Sequence, residues 1–351
     1  MKNKILLNIE QPPPMHGMTY INKIIYEHLK DDERFVFYDT NFTLDVKEVG
    51  GFSFKKVAKN VFVIAGAWKS FLKVRPTSLY TILSASKFGI VRDFLVNLPA
   101  LVFGKQMVYH LHGFTYYKIY QESKVYKFLF KLMTKNSSLI VLCEKQKDIT
   151  FDVMQKDSTV IYNCLHQNSK ISKKLKNKVN QLCYISNISK RKGTFELIKA
   201  VKNYDEKIKL VIAGNFLSDK EEFFELIDES DNISYLGFAD EKLKEKILKE
   251  SDIFCLPSKL EEGSPISIIE AMSYALPVIA TDKGCIKDMV GSAGKIVQNE
   301  IDIKKAIREI EGDYVNLSNI SIEKYKQNYS NEVFVKEFKK TLLGEIKNVQ
   351  K

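Results

Sequence analysis

The chain has 351 residues, of which 45% are hydrophobic and 28% charged, with only 16 Gly and 8 Pro. This composition is typical of a folded globular protein, it excludes a disordered or collagen-like chain, and the length favours two domains over a single core. The net charge of +11 is uneven, because residues 1–165 hold 23 Lys and Arg against 14 Asp and Glu, a net +9. The rest holds 31 against 29, so an anionic partner would face the N-terminal half.

The N-terminal stretch MKNKILLNIEQPPP has only a short apolar run before Glu10 and three prolines, which predicts a first strand and not a signal peptide. No stretch approaches the roughly eighteen apolar residues that a membrane-spanning helix needs. The five cysteines are widely spaced without a CxxC pair, which predicts buried thiols in a reducing compartment. These features together predict a cytoplasmic protein.

Strand-like runs alternate with longer helical patterns along the first half, near residues 3–9, 34–38, 78–83, 106–111, 138–142 and 158–162. A polar, lysine-rich linker is predicted at 166–180, and the alternation then resumes with QLCYIS, IKLVIAG, ISYLG, DIFCLP, PVIAT and GKIV. Two such series predict an α/β protein of two Rossmann-like, doubly wound parallel-sheet domains facing a central cleft. Ligands then belong in the cleft, at the carboxyl ends of the strands.

The predicted domain boundaries follow from this alternation. Residues 1–165 form the N-terminal domain and residues 166–330 form the C-terminal domain. The last helix, 331–351, follows a domain that is already complete, and we expect it to pack back on the N-terminal domain.

The stretch DIFCLPSKLEEGSPISIIEAM predicts a strand, a loop and a helix with Ser264 as its N-cap and Pro265 at the first helical position. The backbone N–H groups around Ile266 and Ser267 would be free at this helix start. Together with the helix dipole, they offer a place for a phosphate without any cationic side chain.

Glu262 precedes this predicted anion site and Glu270 lies in the second turn of the helix. A carboxylate can accept two hydrogen bonds from a ribose diol, which would give Glu270 a nucleotide-binding role. Alternatively, Glu270 pairs with a local lysine and Glu262 is a solvated loop acid. The seven-residue separation alone favours this second interpretation.

The segment EGSPISIIEAMSYALPVIATDKGCIKDMV closely resembles the signature of the retaining GT-B glycosyltransferases of family 4. SNISKRKGTFELIKAV resembles the family's phosphate-binding loop at Lys192-Gly193, and LVIAGNF, ISYLGFAD and SDIFCLPS follow in the family's order. In the first domain, QPPPMHGMT resembles the family's Gly-rich loop, and VYHLHGF places His112 where the family has an active-site histidine. The resemblance covers nearly the whole chain and is most specific in residues 181–290.

The resemblance implies a nucleoside-diphosphate sugar bound mainly by the C-terminal domain, a glycan acceptor bound mainly by the N-terminal domain, and no cofactor. It implies that Glu270 holds the ribose hydroxyls, Glu262 contacts the donor sugar, and Lys192 stabilises the diphosphate leaving group. With His112, the implied catalytic residues are Glu262 and Lys192. Further donor contacts are implied for His16, Gly17, Asn187, Gly237, Phe238, Gly263, Ser264, Pro265, Ile266 and Ser267.

No Asp-x-Asp pair and no cluster with metal-ligand spacing is present in the sequence, so we expect no metal site. The resemblance implies retention by a same-face displacement, in which the leaving phosphate helps to deprotonate the acceptor.

The chain departs from the family pattern at several positions. Asn187 stands where the family usually has arginine, and Lys190 or Arg191 could either compensate for it or be solvated. The other departures are Ala275 and Cys285 in place of glycine, Asp288 in place of glutamate and His16 in place of one glycine of a pair. His110 and His112 alternate onto one side of a strand, so one of them could be a hydrogen-bonded core residue, and we expect His112 to face the cleft.

Two stretches of the N-terminal half, residues 52–75 and 116–135, combine aromatic residues with lysines. They favour contact with an anionic membrane surface over a core-facing helix with a solvated basic edge. Together with the family resemblance, they predict a cytoplasmic enzyme, with contact at the inner face of the cell membrane, that transfers a sugar to a glycan or a polyprenyl-diphosphate-linked glycan in capsule, O-antigen or other surface-polysaccharide synthesis. The alternatives are a nucleotide-sugar epimerase of the same architecture and, less favoured because no recognition motif is present, a nucleic-acid-binding protein.

Overall fold

The computed structural model describes residues 3–41, 54–166, 178–204, 208–228 and 230–348, without the side chains of 54–58 and 345–348. The chain divides into two compact units, Met1–His166 with Asn331–Lys351, and Gln167–Ser330. Several predicted features lie outside the described residues: residues 167–177 of the linker, Phe52, the side chains of Phe54, Lys55 and Lys56, and residues 349–351.

The described part of the first unit contains a sheet of six parallel strands in the order β2-β1-β3-β4-β5-β6. The strands are β1 (Ile5–Ile9), β2 (Phe35–Asp39), β3 (Ser78–Leu83), β4 (Gln106–Leu111), β5 (Ser137–Val141) and β6 (Ser158–Val160). The helices between them are α1 (Gly17–Leu29), α2 (Phe54–Val74), α3 (Lys87–Val102), α4 (Thr115–Glu122), α5 (Lys124–Met133) and α6 (Glu144–Met154).

The helices cover both faces of this sheet. The chain crosses from β1 to β2 in one direction and from β2 through β3 and β4 to β5 in the other. Because parallel crossovers are right-handed, α1 lies on one face, whereas α2, α3 and α5 lie on the opposite face. The strands between the two layers are rich in buried Ile, Leu, Val and Tyr, as expected for strands covered on both sides.

The described part of the second unit contains another sheet of six parallel strands, in the order β12-β11-β10-β7-β8-β9. The strands are β7 (Gln181–Ile185), β8 (Lys209–Ala213), β9 (Ile233–Tyr235), β10 (Ile253–Leu256), β11 (Val278–Thr281) and β12 (Gly294–Val297). The helices are α7 (Thr194–Lys202), α8 (Lys220–Ile227), α9 (Glu241–Glu250), α10 (Ile266–Ser273), α11 (Ile286–Val290), α12 (Glu300–Gly312) and α13 (Tyr314–Lys324).

The last helix, α14 (Asn331–Asn348), belongs to the first unit. It buries Phe334, Phe338 and Leu342 at a spacing of four residues, which places all three on one side of the helix. The Phe338 ring meets the Tyr80 ring of β3 edge-on at 4.9 Å between centroids. The helix also contacts α1, so it packs on the same sheet face as α1.

The strand order reverses at a different place in each sheet. In the first unit the reversal lies between β1 and β3, and in the second it lies between β7 and β10. In doubly wound sheets, such a reversal opens a crevice at the carboxyl ends of the two strands, where ligands bind. The loops that follow β1, β3, β7 and β10 are therefore the places to look for functional side chains.

The predicted fold class, α/β with two doubly wound parallel sheets, is confirmed. Cys164, Cys183 and Cys255 are buried free thiols, as predicted. Cys143 and Cys285 are also buried. Within the described ranges, the helices are too short or too polar to cross a bilayer.

Candidate functional site

Lys192 lies in the loop that leaves β7, at the reversal of the second sheet. A single 3-10 turn, Lys190–Lys192, begins at Ser189, whose hydroxyl accepts the backbone N–H of Lys192 at 3.3 Å. Gly193 follows with φ +74°, and a Cβ there would lie 1.8 Å from the carbonyl oxygen of Pro257. Only glycine allows this approach, which brings the loop after β7 against the loop after β10.

Glu262 lies in the loop after β10 and forms an ion pair with Lys192. Lys192 Nζ is 2.6 Å from Glu262 Oε1, and the hydroxyl of Ser258 donates to the same oxygen at 2.7 Å. The two charged side chains are only 15% and 16% exposed. Either charge would be costly to leave unpaired at this depth, so the pair fixes the position of both groups.

The backbone of Glu262 is held by the turn that follows β11. The N–H of Cys285 donates to the Glu262 carbonyl at 2.9 Å, and the N–H of Gly284 donates to the Glu261 carboxylate at 2.6 Å. Gly284 has φ +60°, and a Cβ there would lie 1.9 Å from the Glu262 carbonyl oxygen. The glycine requirement therefore falls on residue 284, whereas Cys285, with φ −85°, has a backbone that any residue can adopt.

Helix α10 begins at Ile266, after half-buried Gly263 and Ser264. Pro265 has an extended ψ of 115°, and its carbonyl accepts the N–H of Ile268 at 3.1 Å, so Pro265 is the N-cap. The prediction of Ser264 as N-cap is therefore wrong by one residue, because Pro265 has not yet entered the helix. The first N–H groups of the helix still belong to Ile266 and Ser267, where an anion would be stabilised.

Glu270, one turn into α10, forms a second ion pair. Lys244 of α9 donates to Glu270 Oε1 at 2.5 Å and also reaches Glu241 at 3.0 Å. Burial lowers the pKa of Lys244, but the charge and hydrogen bonds of Glu270 and Glu241 outweigh this effect and raise it overall. The pairing of Glu270 with a lysine, one of the two interpretations left open by the sequence, is what the structure contains. A carboxylate has two oxygens and several lone pairs, so this pairing leaves acceptor capacity for a diol.

Helix α10 ends in a left-handed residue that is not glycine. The N–H of Leu276 bonds back to the Ala271 carbonyl at 3.1 Å and that of Ala275 to the Met272 carbonyl at 3.0 Å, which is a Schellman motif. Ala275 has φ +53°, a region in which a Cβ is unfavourable. The helix therefore turns as it would with glycine, at some cost in strain.

The loop around Asn187 has less positive charge available than the family pattern provides. Asn187 is exposed, and its carbonyl accepts the hydroxyl of Tyr184 at 2.6 Å. Lys190 pairs with Glu222, and this hydrogen bond raises the pKa of the lysine. Arg191 is exposed. Lys190 is therefore already engaged, and Lys192 is the cation of this loop that reaches the acidic loop after β10.

Gly237 and Phe238 lie just after β9, next to the loop that leaves β8. The N–H of Gly214 donates to the Gly237 carbonyl at 2.8 Å, and Gly237 has φ +74°. Phe238 follows with 68% of its surface exposed. An aromatic ring left in solvent beside two glycine turns is available to stack on a planar ligand.

In the first unit, His110 and His112 have different environments, as the sequence suggested. His110 is fully buried and its Nδ1 lies 2.9 Å from the hydroxyl of Tyr80, so His110 is the core histidine. His112 is half-buried just beyond β4, 4.2 Å from the His110 ring between centroids, and its backbone N–H donates to the hydroxyl of Tyr116 at 3.1 Å. Burial lowers the pKa of His110 and lowers that of His112 to about 3. Both imidazoles are therefore neutral hydrogen-bonding groups at physiological pH.

His16 and Gly17 open α1 and are exposed. His16 is the N-cap: its ring accepts the N–H of Thr19 at 3.5 Å, and its own N–H donates to the Thr19 hydroxyl at 2.9 Å. A Cβ at Gly17 would meet none of the described atoms within 4 Å. The structure thus gives His16 a local capping role, and the steric reason for Gly17 is not found in the described part of the chain.

A small cavity at the reversal of the first sheet was not predicted from the sequence. It has a volume of about 30 Å³, enough for one or two waters, and lies at the carboxyl ends of β1 and β3. Asn8 and Asn22 line it, are 2% and 1% exposed, and their Oδ1 atoms have no protein partner among the described residues. Buried acceptors of this kind need a donor, from water or from a ligand.

Charged groups complete the wall of this cavity. Arg92 pairs with the buried Asp93 at 2.7 Å and donates to the hydroxyl of Ser84 at 2.6 Å. Burial raises the pKa of Glu10, against the attraction of His16 and Arg92. The one available signal in the sequence was polar residues inside apolar runs, Asn8 in ILLNIE and Asp93 in VRDFLV.

Comparison with known proteins adds an independent finding for the second unit. Residues 166–328 match the family model described as "Glycosyl transferases group 1". The match covers almost the whole second unit.

Two curated proteins and a solved structure are also similar to the chain. An uncharacterised 41.2 kDa protein in the cps region of Klebsiella pneumoniae is 24% identical over 226 residues, covering 60% of this chain and 62% of that protein. An Escherichia coli UDP-Gal:alpha-D-GlcNAc-diphosphoundecaprenol alpha-1,3-galactosyltransferase is 29% identical over 257 residues, covering 64% of each. The chain thus spans less than two thirds of the length of these two relatives.

The crystal structure of Anabaena Alr3699/HepE in complex with UDP matches with a TM-score of 0.70 at 14% identity. The match covers 97% of this chain and 100% of that one. At this identity the likeness concerns the fold.

Proposed function

We propose that the protein is a retaining, metal-independent glycosyltransferase. It would move a sugar from a nucleoside-diphosphate sugar to a glycan or lipid-linked glycan in surface-polysaccharide synthesis. The observation that carries the proposal is the arrangement of Lys192, Glu262 and the α10 start at the reversal of the second sheet. The relative of stated activity is a transferase, which does not favour the epimerase alternative.

The paired charges of the second unit support the donor-binding half of the proposal. A diphosphate beside the N–H groups of Ile266 and Ser267 would draw Lys192 into a shared interaction with Glu262 and the leaving group. Glu270, oriented by Lys244 and retaining a second oxygen, would accept the ribose hydroxyls. UDP is the nucleotide to test first, because it is named for the galactosyltransferase and the solved structure.

The proposed absence of a metal rests on the positive groups that already flank the diphosphate position. Lys192 and the helix start supply charge that a divalent cation supplies elsewhere. Within the described ranges, no three His, Cys, Asp or Glu side chains come together as metal ligands. We infer that the departing phosphate itself takes the acceptor proton on the same face of the sugar, which preserves the anomeric configuration.

The acceptor half of the proposal draws on the first unit. The cavity beside Asn8, Asn22 and Glu10 offers hydrogen-bond acceptors, which suit a sugar hydroxyl. His112, neutral because burial lowers its pKa to about 3, would contact the transferred sugar by hydrogen bonding and without carrying charge. A lipid-linked acceptor would place the protein at the cytoplasmic face of a membrane.

A transfer assay tests the proposal. The protein is incubated with UDP-galactose, UDP-glucose or UDP-N-acetylglucosamine and a synthetic GlcNAc-diphosphate-polyprenol, with and without EDTA, and products are analysed by mass spectrometry and NMR. We expect acceptor-dependent release of UDP, insensitive to EDTA, and an α-linked product from an α-linked donor. Isomerised donor formed without acceptor would support the epimerase, and an inverted product would contradict the retaining mechanism.

A further inference from the structure

We propose that the outer face of α2, α3 and α5 in the first unit is a docking surface for an anionic lipid bilayer. This inference deepens the proposed function. It rests on that function only for the reason why the protein would bind a membrane, which is to reach a lipid-linked acceptor. We refer to the surface as the three-helix face, defined by the exposed apolar residues Val61, Trp68, Leu72, Phe88, Val91, Leu95, Val102, Val125, Phe128 and Leu132.

Helix α3 shows the pattern most clearly. Phe88, Val91, Leu95 and Val102 are spaced by three, four and seven residues, which places them on one side of the helix. Phe88 is 91% exposed and Val102 is 72% exposed. The solvent side of a surface helix is ordinarily polar, so a whole apolar stripe on this side indicates a missing partner.

Helices α2 and α5 repeat this pattern on either side of α3. Val61, Trp68 and Leu72 follow one another along α2 by seven and four residues, and Val61 and Leu72 are about 60% exposed, at 60% and 58%. Val125, Phe128 and Leu132 follow one another along α5 by three and four residues. Phe128 is 65% exposed. The sequence analysis identified the basic-aromatic character of these two helices but not the stripe on α3.

The three stripes form one surface, because the helices are neighbours on the same side of the sheet. Trp68 of α2 donates its indole N–H to the carbonyl of Leu95 of α3 at 2.9 Å. Phe71 of α2 packs on Phe103, just after α3, at 5.7 Å between ring centroids. Helix α3 in turn packs against α5.

The charges on these helices favour an anionic partner. The sequences of α2 and α5 contain lysines and no acidic residue. The one acid of α3, Asp93, is 5% exposed and paired with Arg92. The exposed charges beside the apolar stripes are therefore positive, among them Lys69, Lys73, Lys124, Lys127 and Lys131.

This combination selects a bilayer over a second copy of the chain. A second copy docked by the same face would bring lysines against lysines, which is unfavourable when water is excluded. An anionic bilayer offers phosphates to the lysines and acyl chains to Phe88, Phe128 and Trp68, which is how basic, aromatic helices bind membranes from one side.

Vesicle binding tests the proposal without nucleotide or acceptor. The protein is sedimented with vesicles of phosphatidylcholine alone or with about 30% phosphatidylglycerol, in low and high salt. We expect binding to the anionic vesicles to be at least about tenfold tighter and to weaken with salt, since screening removes the attraction to the lysines. Trp68 is the only tryptophan, so its emission should shift to shorter wavelength on binding.

Two variants test whether vesicle binding depends on the three-helix face or on non-specific hydrophobic contact. Phe88→Glu and Phe128→Glu change exposed residues and should fold normally, yet each should weaken vesicle binding about tenfold. Ile301→Glu on α12, where Ile301 is 76% exposed, is the matched control and should bind like the parent.

Equal binding of parent and Phe88→Glu, no preference for anionic lipid, or a dimer that Phe88→Glu dissociates would overturn the proposal. UDP binding measured on the same samples distinguishes a failure of the docking surface from a failure of the proposed function. Protein that binds UDP but no vesicles contradicts only the docking surface, and protein that binds vesicles but no UDP contradicts only the proposed function.

Discussion

The two units contain sheets of the same size but present different chemistry where the strand order reverses. In the second unit the reversal holds two ion pairs, Lys192–Glu262 and Lys244–Glu270, with all four side chains less than 20% exposed. In the first unit it holds buried amides and the Arg92–Asp93 pair beside a small cavity, with a neutral His112 just beyond the next strand, β4. Paired charges can be shared with an incoming diphosphate, whereas the buried amides and the neutral imidazole offer only hydrogen bonds, as a sugar hydroxyl requires.

The largest effect should come from removing the cation of the second unit. Lys192→Ala should lower the transfer rate about 100- to 1,000-fold, because a fixed charge at the leaving group acts mainly in the transition state. Lys190→Ala, which removes a lysine paired with Glu222 on the surface, is the control and should change the rate little. Initial rates with saturating donor measure both, and equal rates for the two variants would remove Lys192 from the mechanism.

A smaller effect is expected from the cavity of the first unit. Glu10→Gln should reduce kcat/KM for the acceptor about tenfold to a hundredfold, which is the usual range for a lost hydrogen bond to a charged group. Affinity for UDP should be unchanged, because the proposed nucleotide site lies in the second unit. Glu122→Gln at an exposed position of α4 is the control. A similar loss of UDP affinity in Glu10→Gln would contradict the proposal that the donor and the acceptor bind to different units.

A feature of the fold or of the site could be predicted from the sequence where a short stretch of consecutive residues determines it. The strands followed from short apolar runs, Lys192 followed from one short family motif, and Glu262 and Glu270 followed from another. The Lys244–Glu270 pair could not be assigned, because its partners belong to separate helices, 26 residues apart. The cavity around Asn8 and Asn22 depends on contacts between β1, α1 and α3, which no local pattern encodes.

The neutral histidines of the first unit should make its stability depend on pH. In the folded state, burial holds the pKa of His110 and His112 below the value near 6.5 of the unfolded chain. Below about pH 6.5 the unfolded chain binds protons that the folded unit cannot, so stability falls as the pH falls. The expected loss is about 2–3 kcal/mol between about pH 7 and pH 5.5.

Urea unfolding followed by Trp68 fluorescence reports on the first unit alone, because Trp68 is the only tryptophan and lies in α2. His112→Asn should reduce the pH dependence, whereas His28→Asn, at an exposed position, should leave it unchanged. A pH dependence that persists in full in His112→Asn would show that the imidazole titrates freely.

The smallest effect concerns the end of α10. Ala275→Gly should stabilise the second unit by about 0.5–1 kcal/mol, because glycine adopts φ +53° without the strain of a Cβ. Ala271→Gly, inside the same helix, should instead destabilise it by about 1 kcal/mol or more. Thermal unfolding followed by circular dichroism compares the two, and a loss of stability in both variants would contradict the strain at Ala275.

The most direct test of the donor site is calorimetric titration of UDP into the parent protein, Glu270→Gln and Glu241→Gln. Both carboxylates contact Lys244, but Glu241 is 88% exposed and is given no part in donor binding. The expected result is one UDP site, weakened about tenfold or more in Glu270→Gln and unchanged in Glu241→Gln. Equal affinity in all three proteins would mean that Glu270 is only the ion-pair partner of Lys244 and that the donor site lies elsewhere.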